Sequence, residues 1–233
     1  MSTRTRTPAL DDTQLAAAWQ ATSLLLDYPD ERLLGRRPLL RRAAAALPAE
    51  LAGPLGRFLD HVDATPLQEL AADYVATFDH RKRCCLYLTY YTCGNTRKRG
   101  MALLRFKQVY QSAGLALGDD ELPDHLAVVL EFAAAEPAAG ARLLNEHRAG
   151  LELLRLALQE SGSPWAAVLD TVSATLPRLD GDLREAVQRL AEQGPPEEEV
   201  GLAPYGPASG GPVFLPDPQL RPPSPPHVQG AHR

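Results

Sequence analysis

The chain has 233 residues, 24 Lys plus Arg against 29 Asp plus Glu, and a formal net charge of −5, with 45% hydrophobic and 23% charged residues. These totals suit a globular body with one sizeable core, and the acidic balance argues against a dedicated nucleic-acid binder. No run of about 18 apolar residues occurs, the first residues lack the apolar stretch of a signal peptide, and three cysteines make no disulfide framework, so a cytoplasmic protein without membrane insertion is expected.

In chain order the signal is helical. Asp11 or Asp12 caps a first helix with an apolar side of Leu15, Trp19, Thr22, Leu25 and Leu26. It stops at Tyr28-Pro29, because the residue before proline avoids the α region. Asp30 restarts a second helix through Leu33, Leu34, Leu40 and the alanines of 43–46, with a kink expected at Pro38. A third covers about 50–62, and Pro66 opens a fourth bearing Leu67, Leu70, Tyr74 and Phe78. Residues 86–92 alone have strand-like composition. A single such run lacks a partner, so it reads as an irregular or helical connector. Thr96 is placed to cap a helix striped with Leu103, Phe106, Tyr110 and Ala113, and Gly114 fits its end.

Pro123-Asp124 precedes Leu126, Val129, Leu130 and Phe132. Pro137 starts one long helix with Leu144, His147, Leu151, Leu154 and Leu158 inward. Ser163-Pro164 predicts a cap and first turn leading to Trp165, Val168, Leu169 and Val172, and a last helix carries Leu183, Val187 and Leu190. The predicted fold is all-α: a single helical bundle of about nine helices over 12–193, after a flexible N-terminus, 1–11. Residues 194–233 hold 11 of the 21 prolines and are predicted to be a disordered tail, since proline removes backbone donors and few large apolar groups remain to offset ordering.

One segment stands apart in charge. From 80 to 118 there is no Asp or Glu but eight Lys and Arg, with all three cysteines and four of the seven tyrosines, while the rest of the chain holds 16 basic and 29 acidic side chains. His80, Cys84, Cys85 and Cys93 offer four metal-ligand types, but adjacent cysteines diverge by about 100° on a helix and do not match the paired spacing of a structural zinc site. Basic runs at 81–83 and 97–99 interleaved with tyrosines could face phosphates and bases, yet no named nucleic-acid module is present. Nucleic-acid binding or metal carriage through 80–107 therefore stands as the alternative function. Tyr87, Tyr90 and Tyr91 with neighbouring arginines have the composition of a protein contact surface. Glu121, Asp124 and His125 sit at a predicted helix start, where carboxylates are favoured by exposed amides. There is no phosphate loop, nucleophile elbow, H-E-x-x-H or dinucleotide glycine fingerprint, so no catalytic residue, cofactor or resident metal is predicted.

Four blocks carry a resemblance. They are Leu24-Leu25-Leu26-Asp27-Tyr28-Pro29; 74–79; 86–100, ending Asn95-Thr96-Arg97-Lys98-Arg99-Gly100; and Glu121-Leu122-Pro123-Asp124-His125-Leu126 with Leu130-Glu131-Phe132. In that order and spacing the chain resembles the respiratory nitrate reductase delta-subunit family, the NarJ-type molybdenum cofactor assembly chaperones, from about residue 12 to 193. The resemblance implies an all-helical, cytoplasmic, non-enzymatic chaperone. Its partner would be the apo catalytic (alpha) subunit of nitrate reductase, including that subunit's N-terminal peptide, held while the molybdenum cofactor is inserted. The client-binding residues it implies are Tyr87, Tyr90, Tyr91, Arg97, Arg99, Glu121, Asp124 and His125, and Arg105 would add to the steering cations. Nothing transfers to Cys84, Cys85, Cys93 or the proline-rich tail.

Overall fold

The computed structural model describes residues 10–118 and 121–194. The predicted tail and most of the predicted flexible N-terminus lie outside the described residues. The described chain forms eleven α-helices and one 3-10 turn: α1 Asp12–Leu25, α2 Glu31–Ala45, α3 Ala49–Ala64, α4 Leu67–Phe78, the turn Lys82–Cys84, α5 Leu88–Cys93, α6 Arg97–Ser112, α7 Leu126–Ala135, α8 Pro137–Glu146, α9 Arg148–Glu160, α10 Ala166–Ala174 and α11 Gly181–Gln193. The all-α prediction holds. None of these helices is long and apolar enough to cross a membrane.

Two elements account for most of the excess over nine. The long helix predicted from Pro137 is two, because His147 leaves helical geometry at φ −104°, ψ 16° and serves as C-cap of α8 and N-cap of α9. The inward stripe Leu144, His147, Leu151 keeps its three-to-four spacing across this break, so periodicity does not register it. The connector at 86–92 is extended at its start and then helical as α5.

Local chemistry sets the ends. Asp11 accepts from the Gln14 amide while the Gln14 side chain accepts from the Asp11 amide, a reciprocal cap. Asp30 and Asp180 cap α2 and α11. α2 runs through Pro38. Thr96 stands at the N-cap of α6 as expected but makes no side-chain capping bond, because its hydroxyl donates to the Cys93 carbonyl. Ser163 makes no side-chain cap either, and α10 begins at Ala166 after Trp165.

The core forms around α1, which packs on α7, α10 and α2, while α3 packs on α10 and α9 on α10, α11 and α5. Trp19 and Trp165 are fully enclosed. Their indole N–H groups donate to Thr175 Oγ1 (2.9 Å) and to the Leu25 carbonyl (3.2 Å), so neither polar edge is buried without a partner. The Trp165 ring meets Phe58, Tyr74 and Phe78 at 5.5–5.7 Å between centroids. The Tyr74 hydroxyl donates to the Leu26 carbonyl at the end of α1. Ser23 on α1 donates to the Ala127 carbonyl at 2.8 Å, tying α1 to the start of α7.

Candidate functional site

The segment 86–93 and the Glu-Leu-Pro-Asp block are distant in sequence and joined in space. Tyr87 and His125 form an isolated antiparallel bridge: the Leu88 amide donates to the Asp124 carbonyl (3.0 Å) and the Leu126 amide to the Leu86 carbonyl (2.8 Å). The Asp124 carboxylate is completely enclosed and accepts from both the amide and the hydroxyl of Thr89. Arg99 reaches over from α6. Its Nη2 lies 3.7 Å from Asp124 Oδ2, an ionic contact longer than a hydrogen bond, and its Nε donates to Thr89 Oγ1 at 3.2 Å. The same guanidinium covers the Tyr87 ring at 5.3 Å, and that ring meets His125 edge-on at 5.3 Å. Tyr110 of α6 donates to the Pro123 carbonyl at 2.6 Å. α5, α6 and the start of α7 are thus one fastened unit.

This geometry corrects two expectations. Asp124 was expected to meet basic residues of a partner, or the free amides of its own helix. It points inward to Thr89 and Arg99, and His125 is the N-cap of α7. Tyr91 is also interior. Its hydroxyl lies 2.9 Å and 3.0 Å from the carbonyls of Cys85 and Arg83, and burial raises its pKa well above the usual tyrosine value. Each finds internal partners that favour enclosure, Asp124 Oδ2 at Thr89 and the Tyr91 hydroxyl at two carbonyls, while Asp124 Oδ1 is buried without a hydrogen-bond partner. Both side chains are buried, although Tyr91 still lies along the wall of the groove that Tyr90 borders.

The remaining predicted residues fall on three separate surfaces. Tyr87, Glu121 and His125 border a hollow of about 270 Å³ with Asp27 and Glu131, on the outside of α1 and α7. Burial lowers the His125 pKa against the opposing pull of Asp27, Asp124 and Glu121, so the ring favours its neutral form. Tyr90 borders a different groove of about 470 Å³ whose walls are Leu153, Leu156 and Ala157 of α9 and Leu190 of α11, with Lys82, Arg83 and Glu160 at its rim. Arg97 and Arg105 are exposed on α6. That helix buries only Phe106 and Tyr110 fully, and leaves Met101 67% and Leu104 51% exposed between its cations.

Among the described residues no group of three His, Cys, Asp or Glu side chains could hold a metal ion. The three cysteines are free thiols, and burial raises the pKa of Cys84 and Cys85, which favours the protonated thiol.

Residues 44–170 match the family described as nitrate reductase delta subunit. NarJ of Bacillus subtilis (strain 168) is 30% identical over 181 residues, covering 77% of this chain and 97% of that protein. This chain belongs to the nitrate reductase delta-subunit family. The nitrate reductase molybdenum cofactor assembly chaperone NarJ of Escherichia coli (strain K12) is 35% identical over 152 residues, 64% of either chain. The nitrate reductase-like protein NarX of Mycobacterium tuberculosis (strain ATCC 25618 / H37Rv) is 43% identical over 162 residues, and the match spans 67% of this chain but 24% of NarX. A crystal structure from Archaeoglobus fulgidus, described as a candidate redox enzyme maturation protein, shares the fold at a TM-score of 0.52 and 22% identity, over 80% of this chain and 99% of that one.

The delta-subunit match contains both fastened blocks but ends before α11. One wall of the Tyr90 groove therefore lies outside it. Sequence reasoning missed that wall, as it missed Met101 and Leu104. A signal for the facing α9 wall exists: α9 carries apolar residues at 151, 153, 154, 156, 157 and 158, more than one inward stripe needs.

Proposed function

We propose that this chain is a chaperone for nitrate reductase assembly. In this reading it binds the apo catalytic subunit, including its N-terminal peptide, in the cytoplasm, and holds it competent for molybdenum cofactor insertion without joining the finished enzyme. The observation that carries the reading is kinship with NarJ over almost the whole of the Bacillus subtilis protein.

The surface chemistry supports it. A transient protein partner calls for apolar anchors edged by charge. Here Tyr90 and Leu156 supply anchors in the groove, and Met101 and Leu104 supply them on α6 beside Arg97 and Arg105. Arg99 and Tyr87 stack at the junction, with Glu121 and His125 beyond them for basic client residues. Tyr91 and Asp124 act indirectly, by holding α5 and α7.

The test is calorimetric titration of the client's N-terminal peptide against wild type and against Tyr87→Ala, Tyr90→Ala, Met101→Ala and Glu121→Ala. Loss of at least tenfold in affinity in one or more variants is expected. Wild-type affinity in all four removes this surface. A pull-down from cells grown on nitrate without oxygen tests the partner independently of the residues chosen, and absence of the catalytic subunit from it overturns the function.

A further inference from the structure

Ten of the sixteen residues of α6 are exposed. The helix is nevertheless fixed to the body. Phe106 packs on the His147 ring at 4.7 Å, Tyr110 donates to the Pro123 carbonyl, and Arg99 turns inward over Tyr87 towards Asp124. Its outer side is therefore presented in one orientation.

That side has a pattern. Met101 and Leu104, three positions apart, form an apolar ridge. At about 100° per residue, Lys98 and Arg105 fall on one flank of the ridge and Lys107 on the other. No ion pair among the described residues engages Lys98, Arg105 or Lys107, and residues 80–118 contain no Asp or Glu that could do so locally. An apolar ridge between two cationic flanks calls for an anionic partner with an apolar layer beneath its charges. The shape narrows the choice. A peptide is gripped in a groove, and neither hollow described above takes in a residue of α6. A bilayer surface needs no groove. Lysine and arginine lay their stems along the apolar layer and keep their charges at the phosphates, and a helix of this pattern lies in the interface. The rest of the chain, with 16 basic and 29 acidic side chains, is repelled by an anionic leaflet, which turns α6 towards it.

We propose that α6 docks this protein on the surface of an anionic lipid bilayer. Met101 and Leu104 enter the headgroup layer, and Lys98, Arg105 and Lys107 meet the lipid phosphates. The docking is peripheral, since no described helix is long and apolar enough to cross the bilayer. This goes beyond the chaperone reading and does not rest on it, because lipid binding requires no client.

The test is flotation of the full chain, without client, on vesicles of phosphatidylcholine alone and of equal parts phosphatidylcholine and phosphatidylglycerol. Binding to the anionic vesicles only is expected, and it should fall steeply when salt is raised to about 0.5 M. Lys98→Gln/Arg105→Gln/Lys107→Gln should weaken it about a hundredfold, the loss of three cations at such a surface. The thermal midpoint of that variant should not move, because all three side chains are exposed. In Met101→Trp the emission should shift to the blue on anionic vesicles, and the native Trp19 and Trp165 are enclosed, so the shift reports position 101. Leu39→Trp is the control: it places the probe at the exposed leucine of α2, where Arg37 and Arg41 are already paired with Asp60 and Asp63, and should not shift. Absence of binding to anionic vesicles overturns the proposal, as does wild-type binding by the triple variant or an unshifted Met101→Trp on bound vesicles. If the triple variant instead loses the catalytic subunit in the pull-down while wild type ignores vesicles, the face belongs to an acidic protein surface and the lipid assignment is overturned. Because the flotation contains no client, it can fail while the chaperone reading stands, and the reverse.

Discussion

α7 and α8 meet closely where Gly140 faces Ala133, and the missing Cβ of Gly140 permits it. A Cβ placed on Gly140 would stand 2.2 Å from the Ala133 Cα, 2.3 Å from its Cβ and 3.1 Å from its amide nitrogen. Ordinary contact needs close to 4 Å, so Gly140→Ala forces the two helices apart by about 1.5 Å. Backbone must yield, because the nearest atom is a Cα. α7 cannot retreat freely: Ser23 holds the Ala127 carbonyl and Leu86 holds the Leu126 amide. Overpacking costs about 1–3 kcal/mol and occasionally more, and with backbone as the obstacle the cost here lies at or just above the top of that range, about 3–4 kcal/mol. The gain in helix propensity from Gly to Ala returns about 1 kcal/mol. The expected net loss is about 2–3 kcal/mol, or about 4–12 °C in midpoint for a chain of this size. Urea and thermal denaturation followed by circular dichroism measure it. Gly35→Ala and Gly56→Ala are the controls, because both glycines are helical with nothing within 4 Å of the added carbon. They should be neutral or stabilising by up to about 1 kcal/mol. Adding Ala133→Gly to Gly140→Ala should restore little, since the 2.2 Å contact to Cα persists. A urea midpoint for Gly140→Ala at or above wild type would refute the argument.

Asp124→Ala should cost about 3 kcal/mol by chemical denaturation, since it strips the acceptor from the Thr89 amide and hydroxyl and leaves Arg99 without its carboxylate. Asp124→Asn, which keeps an acceptor, should cost measurably less. Tyr91→Phe should cost about 1–2 kcal/mol in the same assay, because two interior carbonyls lose their nearest hydroxyl. His147 and His125 give a pH dependence. Burial lowers both pKa values below the ordinary 6.5; around His147, Glu146 and Asp124 pull upward and Arg105 pushes further down. The unfolded chain therefore takes up protons that the folded chain refuses, so stability is full above about pH 6.5 and falls as pH drops through that value. His125→Gln/His147→Gln should show a shallower fall in thermal midpoint between about pH 7.5 and about pH 5.5 than wild type, and an equal slope would contradict the assignment.

Most of the secondary structure was legible because its causes are local. Asp11, Asp30 and Pro66 mark helix starts through capping oxygens and a fixed φ, and Gly114 ends α6 at φ +76°. The break at His147 was not legible, because a one-residue departure leaves the apolar spacing intact. At the candidate site, residue types were legible and orientation was not. Tyr87, Tyr90 and Tyr91 look alike in sequence, yet Tyr87 borders an acidic hollow, Tyr90 opens onto an apolar groove and Tyr91 is buried in that groove's wall.

The sequence by itself determined an all-helical body and a basic aromatic segment in an acidic chain, and each follows from composition or from contacts within a few residues. The family showed only as a resemblance carried by four blocks in their order and spacing. Only the tertiary structure decided that Asp124 belongs to Thr89 and that Arg99 spans Tyr87 and Asp124. Such pairings join residues tens of positions apart. Which partner a buried charge takes depends on how the helices dock, and helix docking is settled by the shape of the whole core rather than by any local stretch of chain.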